Sequence, residues 1–171
     1  MADAALPRRN GLMLALAIFI VDQLVKYLVT GPIGLAIEGQ SIELLPIFNL
    51  TLVHNYGVSL GMLTADSNAM RWGLVAMTGA ISLFVGGWLW RETNRIDVLA
   101  LGLVLGGATG NLLDRIRFGH VVDFADLHFG EFRPFLVFNV GDAAITIGVL
   151  ILLARALFAQ GGKPKAENEN A

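Results

Sequence analysis

Residues 72–90 read WGLVAMTGAISLFVGGWLW and contain no charged side chain. A helix needs about 20 apolar residues to cross the hydrocarbon core of a bilayer, and this block is close to that length. Tryptophan lies at both ends of the block, where the indole ring suits the two membrane–water interfaces. The block therefore predicts a transmembrane helix, and it decides the class of the protein.

Three further apolar blocks have a similar length and are broken only by isolated polar residues. We predict four membrane spans, at about residues 11–30, 70–90, 97–113 and 136–156. The chain is short enough for one compact unit, so residues 1–171 are expected to form a single integral membrane domain. The predicted fold class is an all-α integral membrane protein with four transmembrane helices.

The composition agrees with a membrane protein and excludes several other classes. The chain is 55% hydrophobic and only 15% charged, with a mean hydropathy of +0.65, whereas soluble domains carry roughly 25% charge. A net charge of −2 provides no basic field, so no nucleic-acid partner is expected. The absence of cysteine excludes a disulfide framework, a thiolate zinc site and a cysteine nucleophile.

The first block begins like a signal peptide, because Arg8 and Arg9 precede an apolar run over residues 11–21. No small-x-small cleavage site follows that run, so a retained helix is the better interpretation. Asp22 and Lys26 are four residues apart on this helix, and we expect them to pair in a structural role.

The distribution of basic residues predicts the orientation in the membrane. Seven of them fall in the two termini and in the loop after the second block, namely Arg8, Arg9, Arg91, Arg95, Arg155, Lys163 and Lys165. Only Arg115, Arg117 and Arg133 follow the third block on the other side. We therefore expect both termini in the cytoplasm.

The two predicted outer segments, residues 31–69 and 114–135, are expected to carry structure. Apolar and polar residues alternate over residues 48–52, which is the period of a half-buried strand. Glycines follow within residues 54–61, where they permit sharp bends. We predict a small β-rich platform on the outer membrane face and a disordered polar tail at residues 161–171.

Two faces distinguish the third helix. Gly102, Gly106 and Gly110 recur every four residues and predict close packing on a neighbouring helix. A roughly opposite face carries one glycine and three polar residues, namely Gly107, Asn111, Asp114 and Arg115.

The fourth helix carries Asn139, Asp142 and Thr146 on one face, and Asp123 lies in the segment between the two helices. An ionisable residue in an apolar helix is costly, so we assign Asp142 a functional role. Asp114–Arg115 and Asp22–Lys26 have a simpler alternative as interfacial charges whose side chains snorkel to water.

A cation site is a further alternative. It would be built from the three histidines and two aspartates, namely His54, His120, His128, Asp123 and Asp126. The histidines are otherwise expected at surface or loop positions, and the preferred interpretation contains no metal or other cofactor.

Five motifs, in order and spacing, resemble the lipoprotein signal peptidase (signal peptidase II) family. They are Asp22, Asn55-x-Gly57, Gly107-x-x-Gly110-Asn111-x-x-Asp114-Arg115, Val121-Val122-Asp123-Phe124 and Phe138-Asn139-Val140-Gly141-Asp142. The similarity covers most of the chain, and the third and fourth motifs together are specific to the family.

The resemblance implies an intramembrane aspartic endopeptidase of the bacterial inner membrane that cuts prolipoproteins before a diacylglyceryl-modified cysteine. Asp123 and Asp142 match the catalytic pair. Asn55, Asn111, Asp114, Arg115 and Asn139 match residues that surround the pair or bind substrate. The implied partners are lipid-modified prolipoproteins and membrane lipids, and a monomer is expected.

Two positions depart from the family pattern. Gly141 stands where alanine is usual, and we expect it to leave room for a close substrate. Leu60 stands where phenylalanine is common, which removes an aromatic contact of the platform.

The residue types support the same chemistry. Two carboxyls that share one proton can hydrolyse a peptide, since one activates water while the other protonates the carbonyl oxygen. A small proton-coupled carrier that uses Asp142 as a relay is the alternative function, and a structural membrane scaffold is a third.

Overall fold

The computed structural model describes residues 5–57 and 68–159. This part of the chain contains four helices, α1 (Ala5–Thr30), α2 (Asn68–Arg91), α3 (Arg95–Phe118) and α4 (Val140–Ala159). It also contains three strands, β1 (Ser41–Leu45), β2 (Phe48–Asn55) and β3 (Val121–Leu127). All four helices are long and apolar enough to cross a membrane, which confirms the predicted class.

Helix α3 is the centre of the bundle, because it packs against the other three helices. In the apolar stretch of α3 that is long enough to span a membrane, 56% of the residues are buried, whereas 17–22% are buried in the corresponding stretches of the other helices. The glycine stripe faces α1: a Cβ atom on Gly102 would lie 2.5 Å from the carbonyl oxygen of Gly11. A Cβ on Gly106 would lie 2.5 Å from the carbonyl oxygen of Ala15, so the predicted close packing is confirmed.

The outer surface of the bundle is apolar. Large side chains such as Leu83, Phe84 and Phe158 are 79%, 69% and 83% exposed. A soluble protein rarely exposes a continuous apolar surface of this kind, whereas lipid solvates it at no cost. The helices therefore present their apolar faces to the bilayer.

The strands form one antiparallel sheet in the order β1-β2-β3, at the end of the bundle where α1 and α3 finish and α4 begins. Val29 and Leu35 pack against Leu52, Val122 and Phe124 in a buried apolar cluster that attaches the sheet to α1. The sheet is the predicted β-rich platform, and the predicted strand over residues 48–52 is part of β2.

The third and fourth helices have different limits from those predicted. Helix α3 continues past residue 113 to Phe118, because Asp114 finds partners inside the protein, and it ends at Gly119 with a left-handed φ of 85°. Helix α4 begins at Val140 rather than near residue 136. The predicted disordered tail and the departure at Leu60 lie outside the described residues.

The segment before α4 is extended because it pairs with the sheet. The backbone of Phe138 donates to the carbonyl of Ala125 at 3.1 Å and accepts from its N–H at 2.7 Å. This pairing places Asn139, the next residue, beside strand β3. It is the joint that brings the fourth helix to the sheet.

Candidate active site

Asp123 of β3 and Asp142 of α4 are joined through Asn139. The Nδ2 atom of Asn139 donates to Oδ1 of Asp123 at 2.6 Å. Its Oδ1 accepts the backbone N–H of Asp142 at 2.9 Å, while its own backbone N–H donates to Oδ2 of Asp142 at 3.2 Å. This reciprocal pair is a capping box, so the same residue begins helix α4 and holds both carboxylates.

Two further amides hold the outer oxygens of the pair. Asn111 of α3 donates its Nδ2 to Oδ1 of Asp142 at 2.8 Å. Asn55, at the end of β2, donates its Nδ2 to Oδ2 of Asp123 at 3.0 Å. The Oδ1 atom of Asn55 also accepts the N–H of Gly57 at 2.8 Å, and this turn fixes its amide over the site.

The two carboxyl groups differ in burial. Asp123 is 1% exposed, whereas Asp142 is half-buried. Burial first, and the negative charge of Asp142 second, raise the pKa of Asp123 from 3.8 to about 7. Hydrogen bonds from Asn55 and Asn139 and the charge of Lys26 oppose this shift. Near pH 7, Asp123 is therefore present in both its protonated and its ionised form.

Behind the pair lies a buried ion cluster around Lys26. Its ammonium lies 2.8 Å from Asp22 and 2.7 Å from Asp114, and it donates to Oδ1 of Asn111 at 3.0 Å. The predicted pairing of Asp22 with Lys26 is present. The snorkelling alternative is wrong for both aspartates, because Asp22 is 0% and Asp114 is 1% exposed.

Close backbone contacts allow this cluster to reach α4. A Cβ on Gly110 would lie 2.5 Å from Oδ2 of Asp22, so the glycine lets this carboxylate pass α3. Oδ1 of Asp22 then accepts the N–H of Gly141 at 2.9 Å. A Cβ on Gly107 would overlap the carbonyl oxygen of Gly141, which makes this the tightest approach of α3 to α4 among the described glycines.

Gly141 does not leave room for a substrate, contrary to our expectation. A Cβ there would point toward α3 and lie 3.0 Å from the carbonyl oxygen of Gly107. It would also lie 3.1 Å from Oδ1 of Asn139 and 3.3 Å from Oδ1 of Asn111. The absence of a side chain at Gly141 therefore serves helix packing.

Arg115 lies at the edge of the site and does not pair with Asp114, whose carboxylate belongs to the Lys26 cluster. Its Nε is buried and has no hydrogen-bond partner within the described part of the chain. The charges of Asp142, Asp123 and Asp114 all act on its guanidinium. A buried N–H donor without a partner is costly, so this group is available for a ligand.

Gln23 belongs to the site and was missed from the sequence. Its Nε2 donates to Oδ1 of Asp114 at 2.9 Å, to Oδ2 of Asp22 at 3.2 Å and to the carbonyl oxygen of Gly110 at 3.3 Å. Its position between Asp22 and Lys26, in one turn of an apolar helix, is the signal that identifies it.

The structure gives other partners to four of the candidate cation-site residues, whereas the ring nitrogens of His128 are buried and have no hydrogen-bond partner within the described part of the chain. Asp126 pairs with Arg133 at 3.1 Å. The rings of His54 and His120 lie 4.1 Å apart between centroids. Over residues 5–57 and 68–159, no three His, Asp or Glu side chains form a group that could hold a metal ion. His54 and His120 are neighbours, but within the described residues the three histidines and two aspartates of that alternative do not form one site.

An apolar groove of about 290 Å³ opens beside Asp142. It runs along the first turns of α4 and the segment before it, and is lined by Phe135, Phe138, Ala143, Thr146 and Ile147. Among the described residues of its lining, Asp142 is the only ionisable side chain, so an apolar chain in the groove would end against this carboxyl group.

The chain is similar to known proteins. The sequence profile of signal peptidase (SPase) II matches residues 14–158. A lipoprotein signal peptidase of Sphingopyxis alaskensis is 55% identical over 149 residues, which are 87% of this chain and 86% of that protein. One of Rhizorhabdus wittichii is 52% identical over 172 residues, covering 100% and 99% of the two chains.

A solved structure of a bacterial membrane enzyme, determined by the in meso method at 2.3 Å resolution, has the same fold. The TM-score is 0.78 at 27% identity, and the match covers 94% of each chain. Four membrane spans and the family match define a multi-pass membrane protein of the aspartic peptidase class. The chain belongs to the signal peptidase II family.

Proposed function

We propose that this protein is an intramembrane aspartic endopeptidase that removes signal peptides from prolipoproteins. It hydrolyses the peptide bond before a diacylglyceryl-modified cysteine. The observation that carries this proposal is the hydrogen-bonded path from Asp123 through Asn139 to Asp142, beside a groove that opens at the surface of the bundle. The family membership and the names of its close relatives support the substrate class.

The environments of the two aspartates give them different roles. Asp142 accepts hydrogen bonds from Asn111 and from the backbone of Asn139 in the first turn of α4, where the helix dipole favours a negative charge. We assign it the carboxylate form and the task of removing a proton from water. Asp123, with its pKa near 7, carries the shared proton and gives it to the substrate carbonyl oxygen.

The reaction then balances within the pair. The water oxygen bonds to the carbonyl carbon and forms a tetrahedral diol, while Asp142 takes the proton from the water. Asp142 passes that proton to the leaving nitrogen as the carbon–nitrogen bond breaks. Asp123 recovers its proton from the diol hydroxyl as the new carboxyl group forms.

Arg115 and Asn55 are proposed to position the peptide. The unpartnered Nε of Arg115 is suited to a backbone carbonyl oxygen of the substrate. Asn55 is exposed and covers Asp123, so it is placed where the extended peptide would cross the pair.

The orientation is proposed from the positive-inside rule. The sheet end of the bundle, with Asp142 as the third residue of α4, would face the outside of a bacterial inner membrane, and both termini would face the cytoplasm. Asp142 then lies only about 3 Å along the helix from its first residue, at 1.5 Å per residue. This is the depth at which a lipid-linked cysteine would be held.

The same arrangement argues against the proton-coupled carrier. A carrier usually places its acidic residue near the middle of the membrane, between repeated halves. Here Asp142 lies in the first turn of its helix. We propose that a monomer is active, because a single chain places both aspartates and the amides that hold them within hydrogen-bond distance, and that membrane lipids surround it.

The deciding experiment uses the purified protein in detergent micelles and two matched peptides that span the cleavage site. One carries a diacylglyceryl group on its cysteine and the other does not. We expect cleavage of the first and almost none of the second, since the lipid holds the peptide at the depth of the pair, at about 0.8 kcal/mol per buried methylene. Equal kcat/KM values for the two peptides would show that the lipid is not recognised.

The roles of the aspartates are tested in the same assay. Asp123→Asn and Asp142→Asn keep the shape of each side chain but cannot exchange the proton, so each variant should lose cleavage. Thermal unfolding of both variants is the control for folding. Substantial turnover by either folded variant would remove the assignment.

A further inference from the structure

The ammonium of Lys26 has all its donors engaged. Lysine carries three N–H groups, and three acceptors surround this one: Asp22 at 2.8 Å, Asp114 at 2.7 Å and Asn111 at 3.0 Å. The residue is 4% exposed. With each donor used inside the protein, Lys26 has none left for a substrate.

Two of these acceptors hold the backbone next to an aspartate of the pair. Asp22 accepts the N–H of Gly141 at 2.9 Å, and Gly141 directly precedes the helix aspartate. Asp114 accepts the N–H of Val122 at 3.2 Å, and Val122 directly precedes the strand aspartate. The ammonium thus fixes two carboxylates, and each of them fixes one of the two segments that form the site.

The third acceptor touches the pair itself. Oδ1 of Asn111 accepts from Lys26 at 3.0 Å and from Nδ2 of Asn139 at 3.2 Å. Two donors on this oxygen determine which way the amide faces, so its Nδ2 is directed at Asp142. If the amide turned over, its oxygen would face the carboxylate and the hydrogen bond would be lost.

We propose that Lys26 is a positioning residue for the cleavage reaction and sets the geometry of both aspartates through Asp22, Asp114 and Asn111. This inference rests on the proposed function. It assigns to a buried lysine of α1 a role in the reaction that extends beyond the structural pairing expected from the sequence.

The charge of Lys26 acts on the pKa of Asp123, so the pH dependence of the rate can distinguish a positioning role from a role in packing alone. In the described part of the chain, the charged groups near Asp123 are Asp142 of α4, Lys26 of α1, and Arg115 and Asp114 of α3. Lys26 lowers the pKa of Asp123, so its removal should raise that pKa. The alkaline limb of the pH–rate profile should then move to higher pH.

The test compares Lys26→Met with Arg155→Met in the lipidated-peptide assay. Methionine keeps the length and apolar stem of lysine but has no donor. Arg155 forms a partly buried ion pair with Asp97 at 2.5 Å. This pair also joins two helices, α3 and α4, but it lies at the opposite end of the bundle. It is therefore a matched control for the loss of an interhelical ion pair far from the site.

We expect Lys26→Met to reduce kcat by about 100-fold or more, the scale of effects that misplacement can cause, with KM within about threefold. Its alkaline limb should shift upward, whereas Arg155→Met should keep the parental kcat and pH profile. A folded Lys26→Met enzyme with the parental kcat would overturn the proposal. If the parent enzyme itself leaves the lipidated peptide uncut, the proposed function fails instead.

Lys26→Arg keeps the proposal testable if the methionine variant does not fold. Arginine retains the positive charge, but its donors lie in one plane and cannot reach three acceptors arranged around an ammonium. We expect the alkaline limb to stay at the parental pH and kcat to fall at least about tenfold, as for a misoriented catalytic group. A parental kcat in this variant would show that the three hydrogen bonds do not position the pair.

Discussion

Asn139 and Asp142 exchange hydrogen bonds at the first turn of α4, where the amide oxygen accepts one backbone N–H at 2.9 Å and the carboxylate accepts the other at 3.2 Å. Helix capping and the orientation of a proposed catalytic carboxylate therefore use the same atoms. The Nδ2 atom of the Asn139 side chain donates to the second carboxylate, that of Asp123.

Substitutions of Asn139 should separate these two tasks. Serine caps a helix as well as asparagine does but is too short to reach Asp123. We expect Asn139→Ser to lose at least about tenfold in kcat while its free energy of unfolding changes by less than about 1 kcal/mol. Asn139→Ala should lose both the activity and about 1–2 kcal/mol of stability. Steady-state kinetics and denaturant unfolding in micelles measure the two effects, and an active serine variant would contradict the assignment.

The raised pKa of Asp123 predicts that the rate of cleavage falls as the pH rises through neutrality. As the pH rises through about 7, Asp123 loses the proton that we propose it donates, so kcat should fall on the alkaline side. A pH–rate profile of the parent enzyme with the lipidated peptide measures this limb. A rate that stays constant from pH 6 to about pH 9 would assign the proton elsewhere.

The raised pKa of Asp123 also makes the stability of the folded protein depend on pH. The folded protein keeps this proton at pH values where the unfolded chain, with a pKa of 3.8, has lost it. The contribution of Asp123 to the free energy of unfolding is therefore largest at low pH and is lost as the pH rises toward about 7. Asp123→Asn should raise the Tm relative to the parent at about pH 8, with a smaller difference at about pH 5. A Tm of Asp123→Asn below that of the parent at about pH 8 would contradict this.

Gly107 should not tolerate a side chain. A Cβ at this position overlaps the backbone carbonyl of Gly141, which a rotamer change cannot relieve. We expect Gly107→Ala to push α4 away from α3, lowering both activity and Tm, with a cost of about 1–3 kcal/mol. Gly87→Ala on α2 is the control, because a Cβ at Gly87 would meet nothing within 4 Å. Equal activity and equal Tm of the two variants would mean that Gly107 does not pack tightly against Gly141.

The proposed orientation can be tested because the chain contains no cysteine. A single cysteine at Glu38, between α1 and β1, should react with a membrane-impermeant maleimide added outside spheroplasts. A single cysteine at Thr93, between α2 and α3, should react only after the membrane is opened. Both positions are described, and Thr93 is exposed, so failure to react reflects the membrane side. The reverse pattern would invert the topology and place the aspartates at the inner face.

Much of the bundle could be predicted from local patterns. The lengths of the apolar blocks fix the number of spans, and the four-residue spacing of Gly102 and Gly106 predicts a close helix contact. Periodicity does not say which helix makes that contact, so the role of α1 as the partner required the structure. The strand that carries Asp123 was not predicted either, since its motif was noted for its aspartate and its pairing partners lie about 70 residues away along the chain.

The limits of α3 and α4 show a different reason for failure. Asp114 looks like the polar end of a span, but Lys26 and Gln23 satisfy its carboxylate inside the protein, and the helix continues. Asn139 looks like part of the apolar helix, but it caps the helix, and the residue before it pairs with the sheet. In both cases a contact distant in sequence overrides the local pattern.

The pairing of Phe138 with Ala125 has a consequence for biosynthesis. Asp123 and Asp142 come from different elements, and this short backbone junction brings them together. A chain that has inserted only its first three helices holds the strand aspartate without the helix aspartate that would share its proton. Under the proposed mechanism such an unfinished protein has no peptidase activity, so the membrane meets an active peptidase only after the last span has docked on the sheet.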